Sequence, residues 1–516
     1  MKTLQRLVSK SWITKRLFGM SSSKMTPISA EETPEDFSII EESSSDFSWV
    51  PLLKQDCSFP SEIFRSVMLN FIHNPNFNTN HLFRADISLD VPFQYESSEY
   101  ETEIPPRIAH VKDFQLQTVM VRTMIPRNPL LDKPLDQTCL LYESKLECNE
   151  ISSLVVYLSH ISSAEECPHY HPPVRGVGFM QRYDPKTQQG TISIHFSFFE
   201  SEPRSPKLER TAERLLAVLH KHGKANAAGY TKRVLHDVII PQARTQNTYA
   251  RLKAKYARVL CQTWVETTDP TKHVFEDLAI AAFLIELWAD VYENQIFSGF
   301  VDIGCGNGLL VHILVEEGYE GWGFDARRRK SWTIWSQKSQ DNLKEMVLIP
   351  SVLQTNHTTA SEINANADGG PTNKPEIHDG VFPPGTFIIS NHADELTPWT
   401  PILANISKSP FIMIPCCSHA LSGAKFRAPA PKGAGATVSQ FASLVTWVSE
   451  IARSCGWHVE KEMLRIPSTR NAAVIGRTRV VPYEDVDVKD LVTSFGGGTG
   501  WEENSLKLLK GSTRGH

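Results

Sequence analysis

The clearest periodicity in the chain lies between Phe275 and Val291, where Leu278, Ala281, Ala282, Ile285 and Trp288 recur at the spacing of a helix with one buried side. The turn Thr268-Asp269-Pro270 precedes it, and the apolar run Gly299–Ile303 follows as a strand. From there strand-length and helix-length patterns alternate. Leu309–Glu317 reads as helix, Glu320–Asp325 as strand and Ser331–Asn342 as helix. Phe387–Ser390 and Phe411–Pro415 read as buried strands, with a helix at Thr400–Ile406 between them. Val438–Cys455 is helical, and Val459–Ile466 with Ala472–Arg477 reads as a closing antiparallel hairpin. Alternation of this kind predicts a doubly wound, mostly parallel α/β sheet.

Upstream the pattern differs. Short β-type runs at Gln117–Arg122, Leu154–Ser159, Val177–Gln181 and Thr191–Phe199 are separated by Pro-rich breaks, which predicts a smaller mixed, β-rich domain with antiparallel strands. Residues 206 to about 260 read as helix, with Leu215, Leu216, Val218 and Leu219 grouped on one side. At 516 residues the chain exceeds what one core holds, since single cores stop growing near ~250–300 residues. The expected division is a disordered tail over 1–60, a mixed domain over 61–203, a basic helical connector over 204–265, a catalytic module over 266–481 and a loose tail over 482–516. Within the module Thr355–Gly380, full of Asn, Thr, Pro and Gly, reads as a surface loop.

Composition changes this picture little, but charge placement changes it more. Hydrophobic residues at 41% and charged residues at 22% suit a globular chain. No apolar run approaches the roughly 20 residues of a membrane-spanning helix. The formal net charge of -5 hides segregation. Glu31 to Asp56 is acidic and Ser-rich, whereas Arg204 to Arg258 carries Arg204, Lys207, Arg210, Arg214, Lys221, Lys224, Lys232, Arg233, Arg244, Arg251, Lys253, Lys255 and Arg258 against only Glu209, Glu213 and Asp237. A local basic patch is the usual electrostatic footprint of a nucleic-acid partner. The first residues, with Lys2, Arg6, Lys10, Lys15, Arg16 and Lys24, read either as a basic tail or as a mitochondrial transit peptide. Nine cysteines without paired spacing fit a reducing compartment. Cys167, His169 and His171 lack a visible fourth ligand, so no metal is expected there.

The chemistry concentrates in Val301-Asp302-Ile303-Gly304-Cys305-Gly306-Asn307-Gly308-Leu309-Leu310. A strand ends at Asp302, and the chain turns through alternating glycines into a helix, which lets backbone approach a ligand without Cβ interference. The acidic residue before the first glycine favours a positively charged ligand over a pyrophosphate, and the sulfonium cofactor S-adenosylmethionine carries an amino group and no phosphate. Asp325 ends the next strand, where a carboxylate in such a sheet accepts hydrogen bonds from ribose hydroxyls. Phe495-Gly496-Gly497-Gly498-Thr499-Gly500 has no strand before it and no lysine, and reads as a flexible linker.

The chain resembles the tRNA (uracil-2′-O-)-methyltransferases that modify uridine 44, chiefly in serine tRNA. The likeness rests on Asp269-Pro270-Thr271-Lys272-His273-Val274-Phe275-Glu276-Asp277-Leu278-Ala279-Ile280-Ala281-Ala282, on Val301–Leu310, and on Tyr319-Glu320-Gly321-Trp322-Gly323-Phe324-Asp325-Ala326-Arg327-Arg328-Arg329-Lys330-Ser331-Trp332. It continues in Asn391-His392-Ala393-Asp394-Glu395-Leu396-Thr397-Pro398-Trp399 and Pro415-Cys416-Cys417, covering about 240–480, with a weaker echo in Tyr170-His171-Pro172-Pro173-Val174-Arg175. It implies a Rossmann-like class I S-adenosylmethionine methyltransferase fold, methyl transfer to a ribose 2′-hydroxyl, and a cytoplasmic home. The cofactor contacts expected are Asp302, Gly304, Cys305, Gly306, Asn307, Gly308, Asp325, Ala326 and Asn391. The partner expected is tRNA, held through Arg204–Arg258 and Arg327–Lys330.

Asn391–Trp399 follows a buried strand directly, and open α/β sheets bind ligands beyond the carboxyl ends of their strands, so Asp394 and Glu395 are expected at the reacting centre. Some ribose 2′-O-methyltransferases with this sheet use a Lys-Asp-Lys-Glu set. A similar order here is Lys272, Asp394, Lys425 and Glu462, with Glu460 the alternative to the last. The same positions also read as a turn cap at Asp394 and a solvated lysine at Lys425. A methyltransferase for protein or a small molecule, and a non-enzymatic adaptor, are the competing readings; the intact Asp302–Gly308 loop with Asp325 argues against the adaptor.

Overall fold

A computed structural model describes residues 25–27, 49–93, 102–128, 131–144, 150–199, 205–229, 236–354, 376–431 and 439–510. The basic start 1–24 and most of the loop expected at 355–380 lie outside the described residues. The chain divides into two compact units, Met1–Lys232 and Arg233–His516. That division falls inside the stretch expected to be a connector, because each of its two helices buries an apolar side within its own unit.

In the first unit β1 (Thr26–Pro27), β2 (Trp49–Cys57), β3 (Leu82–Pro92), β4 (Phe114–Pro126), β5 (Leu135–Ser144), β6 (Ile151–Ser159), β7 (Gly176–Asp184) and β8 (Gln189–Ser197) pair antiparallel in the order β1-β2-β8-β7-β6-β5-β4-β3. One face is covered by α1 (Ser61–His73) and α2 (Pro206–Ala227). Phe64, Val67 and Phe71 of α1 and Leu208, Leu216 and Leu219 of α2 pack with Val155, Phe179, Ile194 and Phe196 of the sheet. Each such side chain taken fully from water contributes roughly 1.5–3 kcal/mol. α2 starts at Pro206, whose missing N–H is no loss in a first turn, while Ser205 Oγ accepts from the Leu208 amide. Strand β2 corrects the expectation of disorder through residue 60. Its run Trp49-Val50-Pro51-Leu52-Leu53 is short, and the acidic, Ser-rich composition around it masks the pattern.

The second unit carries β9 (Phe300–Ile303), β10 (Gly321–Asp325), β11 (Leu343–Leu348), β12 (Glu376–His378), β13 (Phe387–Asn391), β14 (Phe411–Ile414), β15 (Trp457–Met463) and β16 (Ala472–Arg479), ordered β12-β11-β10-β9-β13-β14-β16-β15. The first six run parallel, β16 lies antiparallel to β14, and β15 and β16 form the closing hairpin. The order reverses between β9 and β13, and a crevice for ligands opens at such a reversal.

Two layers of helix enclose this sheet. On one face α3 (Gln242–Gln262), α4 (Pro270–Val291) and α5 (Leu309–Glu316) bury Leu252, Leu278, Leu284, Trp288 and Ile313. Pro270 opens α4 with Asp269 capping the Thr271 amide at 2.9 Å. The other face holds α7 (Thr400–Ile406) and α8 (Gln440–Ser454), which carry Trp399, Ile402, Val448 and Ile451. The helix expected over Ser331–Asn342 is instead a 3-10 segment at Lys330–Ile334 followed by the short α6 (Gln337–Asp341). Ser331 and the Trp332 and Trp335 indoles bond out of the segment, to Glu266 and to the glycine turn, which competes with a regular helix.

The loose tail expected after 482 is a folded part of the unit. Its helices α9 (Val488–Ser494) and α10 (Trp501–Lys510) bury Leu491, Val492 and Trp501 in the same core as Trp399. The Trp501 indole donates to Leu348 O at 2.9 Å and meets the Trp399 ring edge-on. The glycine run is an ordered turn that packs at Gly498, where a Cβ would come within 2.6 Å of Leu353, while Gly496 and Gly497 face open space.

Candidate functional site

β9 delivers Asp302 to the crevice, and the chain leaves through Gly304, Gly306 and Gly308 at φ of 73, 53 and 73 degrees. A left-handed backbone explains glycine at all three. Space adds a second reason at two of them. A Cβ on Gly304 would lie 3.1 Å from Ala393 Cβ, and one on Gly308 would lie 2.7 Å from Leu343. At Gly306 nothing lies within 4 Å, so the middle of the turn faces open space. The turn is held from behind: Trp332 Nε1 donates to Gly306 O, and Ser331 Oγ and Trp335 Nε1 donate to Asn307 O. Asn307 Oδ1 accepts from the Leu309 amide at 2.8 Å, which ties the turn to the first residue of α5. Cys305 is buried, its amide donates to Phe324 O, and burial pushes its thiol well above the ordinary value.

Asp325, at the tip of β10, reaches across to this turn. Its Oδ2 accepts from the Gly306 amide at 3.1 Å and its Oδ1 from the Arg327 amide at 3.1 Å. Ala326 follows it, half-buried. Asp302 is buried, and its Oδ1 has no hydrogen-bond partner. Burial pushes its carboxyl far up, and Asp277 and Asp325 push in the same direction. Asp277, from α4, is also buried and is pushed up to about 8 by burial and by Glu276, while a bond from Asn391 Nδ2 at 3.2 Å pulls it back down. Asn391 Oδ1 is buried and unpartnered as well. Two buried carboxylates, Asp302 and Asp277, and an orphaned amide oxygen, with Asp325 acting on Asp302 from a part-exposed position, are poorly matched to each other and well matched to a cation. These residues fit S-adenosylmethionine: Asp302, Asp277 and Asn391 would accept from an ammonium group, Asp325 from ribose hydroxyls, and Gly306 leaves its side of the turn open.

The acceptor side forms where β13 and β14 end. His392 and Asp394 both take positive φ, 52 and 39 degrees, which is uncommon outside glycine and recurs at functional sites. The Cys416 thiol donates to Asp394 Oδ1 at 2.7 Å. Burial, and then Asp394, push the Cys416 and Cys417 thiols up, which keeps them as thiols and removes them as nucleophiles. Lys425 acts on Cys417 and lines a cavity with Ser418, Phe426, Arg427, Ala428 and Gln440. Glu395 faces His419 at 3.9 Å. Lys272 lies one turn before Glu276, and Glu276 bonds His392 Nε2 at 3.1 Å.

Thus Lys272, Asp394 and Lys425 are drawn toward one end of the sheet, but Glu462 is not. It is buried, and its two oxygens accept from the amides of Asp237, Val238 and Ile239 at 2.8, 2.7 and 2.9 Å. The alternative, Glu460, is paired with Arg477 at 2.6 Å. The four-residue set expected from sequence therefore loses its glutamate, because the hairpin spends both of its glutamates on structure. Asp277, Glu276 and His392 were missed; the signal was an acidic pair, Glu276-Asp277, inside the most apolar helical stretch of the chain.

The basic segment is also more neutral than its composition. Arg244 pairs with Glu286 at 2.9 Å and with Asp290 at 2.6 Å, and Glu317 takes both Arg251 and Lys255. Arg258, Arg328 and Lys330 are exposed. In the first unit His171 spends Nδ1 on Pro172 O and Nε2 on Gln137 and meets Cys167 Sγ at 3.5 Å, while the His169 amide donates to Asp132.

The chain is similar to known proteins over most of its length. Residues 25–233 match the family described as "TRM44-like, N-terminal bet v1-like domain", and residues 239–350 match "Predicted AdoMet-dependent methyltransferase". A tRNA (uracil-O(2)-)-methyltransferase of Neurospora crassa is 51% identical, over 90% of this chain and 93% of the relative. Proteins of the same name from Eremothecium gossypii and Saccharomyces cerevisiae are 38% and 36% identical, each over 91% of this chain and over 97% and 94% of the relative.

Proposed function

Since the chain belongs to the family of tRNA (uracil-O(2)-)-methyltransferases, we propose that it transfers the methyl group of S-adenosylmethionine to the ribose 2′-hydroxyl of a uridine in tRNA, and that the uridine is number 44 of serine tRNA. The observation that carries the cofactor assignment is the unpartnered Asp302 oxygen beside Asp277 and Asn391. These three residues would hold the ammonium, Asp325 the ribose hydroxyls, and Gly304–Gly308 the close passage of backbone. The cofactor supplies an electrophilic methyl on a sulfonium. The sheet order, reversing between β9 and β13, supports the finer reading of the second unit as a Rossmann-like class I methyltransferase.

Lys272, Asp394 and Lys425 border the acceptor end in this reading. Phosphate contacts fall to the exposed Arg258, Arg328 and Lys330 more than to Arg244, Arg251 and Lys255, whose charges are already answered by acids. The test is to incubate the purified full chain with methyl-labelled S-adenosylmethionine and serine tRNA, alongside the same tRNA carrying 2′-deoxyuridine at position 44. Label in the first and none in the second is expected. Label at another nucleotide removes the position, and label only in added protein extract removes the tRNA.

A further inference from the structure

A ribose 2′-hydroxyl must lose its proton as it is methylated, and a positioned base supplies that step. Two of the residues expected to manage it are committed elsewhere. Asp394 has one oxygen occupied by the Cys416 thiol, and Glu462 is sealed under the 237–239 amides. Lys272 lies one helical turn from the Glu276 carboxylate and acts on it.

His392 has none of these commitments. It follows β13 directly, one residue after Asn391 of the ammonium corner and one before Ala393, which touches the space in front of Gly304. Its backbone is pinned: its amide donates to Ile414 O at 3.2 Å, and its φ is 52 degrees, a conformation costing a non-glycine residue roughly 1–2 kcal/mol. Its ring is a quarter exposed and is oriented by Glu276, 3.1 Å from Nε2, while its Nδ1 is buried without a hydrogen-bond partner. Burial alone would raise the Glu276 carboxyl, but the His392 bond and Lys272 outweigh burial and hold it below the ordinary value. A carboxylate on one ring nitrogen and an unpartnered second nitrogen, whose burial leaves it in need of a partner, is the arrangement of an oriented imidazole base.

We propose that His392 is the proton acceptor of the methyl transfer, with Glu276 its positioning residue; the proposal rests on the methyl-transfer reading above. His392 Nδ1 takes the 2′-hydroxyl proton while the oxygen bonds to the methyl carbon, and the electron pair of the broken carbon–sulfur bond stays on sulfur. The positive charge lost from the sulfonium reappears on the imidazolium, where Glu276 is already in place to neutralise it, and the proton then leaves to solvent. The charged and titratable groups around the ring are Glu276, Lys272 and His273 from α4, Asp394 from its own loop, and Cys416 from the end of β14.

The test uses the full chain and three variants, His392→Gly, His392→Asn and Glu276→Gln. Glycine and asparagine both tolerate the left-handed backbone. Calorimetric affinity for S-adenosylhomocysteine is expected to stay within threefold of wild type in both His392 variants, while turnover falls by at least about 100-fold. Added imidazoles should restore turnover in His392→Gly, faster with the more basic members. In Glu276→Gln the acidic limb of turnover against pH should move to lower pH, because the imidazolium has lost its counter-ion. Independently of turnover, nitrogen-15 spectra of the histidine-labelled chain should show His392 protonated at Nε2. Full turnover in His392→Gly, rescue indifferent to imidazole basicity, or an Nδ1-protonated ring would each overturn the proposal. A wild-type chain that labels no tRNA would instead sink the methyl-transfer reading beneath it.

Discussion

The Gly306 amide donates to Asp325 Oδ2 at 3.1 Å, joining the turn after β9 to the tip of β10 before any ligand arrives. The carboxylate keeps capacity to accept further bonds, so one side chain both shapes the glycine turn and faces what would lie upon it. Asp325→Asn should therefore fold normally and bind S-adenosylmethionine about 10–100-fold more weakly, the equivalent of one or two hydrogen bonds to a charged group. Calorimetric titration measures this, and an unchanged affinity would remove the ribose assignment.

The three glycines of the turn should differ in their sensitivity. Gly308→Ala adds a Cβ 2.7 Å from Leu343 to a backbone already at φ 73 degrees, and should cost roughly 2–5 kcal/mol of stability from strain and overpacking together. Gly306→Ala meets no atom within 4 Å and should cost only about 1–2 kcal/mol. Its larger effect should be on cofactor affinity, because the added methyl points into the open side of the turn. Urea unfolding and titration on both variants separate the two effects.

Glu462 was read from sequence as a member of the reacting set, and the structure turns that into a stability prediction. Glu462→Ala leaves three backbone amides without their acceptor and should destabilise the second unit by roughly 2–4 kcal/mol, with turnover per folded molecule unchanged. A stable variant that has lost turnover would restore it to the chemistry.

What could be read in the chain and what could not divides along a physical line. The β9 turn and the tip of β10 were legible because local backbone needs, glycine at positive φ and a carboxylate at a strand end, leave a mark on adjacent residues. The pairing of Glu276 with His392 left none, since 116 positions separate them and only the α4 packing brings them together. The tail was misjudged for a related reason: a segment with few apolar residues looks loose, yet Trp501 alone fills a site between Trp399 and Leu348. β11 escapes the pattern because Lys344 and Glu345, both exposed, interrupt its apolar run.

Trp501 makes that last point testable. Trp501→Ala should cost roughly 3–5 kcal/mol, as for other large buried aromatics, although it lies 15 residues before His516. Truncation before 482 should leave the second unit unable to fold. Thermal melts of both would show it; a truncated chain that melts like the full one would return the segment to the status of a tail.

The acidic corner predicts how stability and binding respond to pH. The Asp277 carboxyl is raised from 3.8 to about 8 by burial and by Glu276. Between those values the folded chain holds a proton that the unfolded chain has released, so folding stability falls as pH rises. The contribution is complete below about 4 and gone above about 8. A bound ammonium reverses the preference, because it stabilises the carboxylate. S-adenosylhomocysteine, which carries the same ammonium, should therefore bind with proton release at pH 7 and tighten as pH approaches 8. Melting curves from pH 6 to 9, with and without this ligand, should show the apo chain losing stability and the liganded chain losing less. Asp277→Asn should flatten both slopes, and if it leaves them unchanged the ammonium does not sit at this corner.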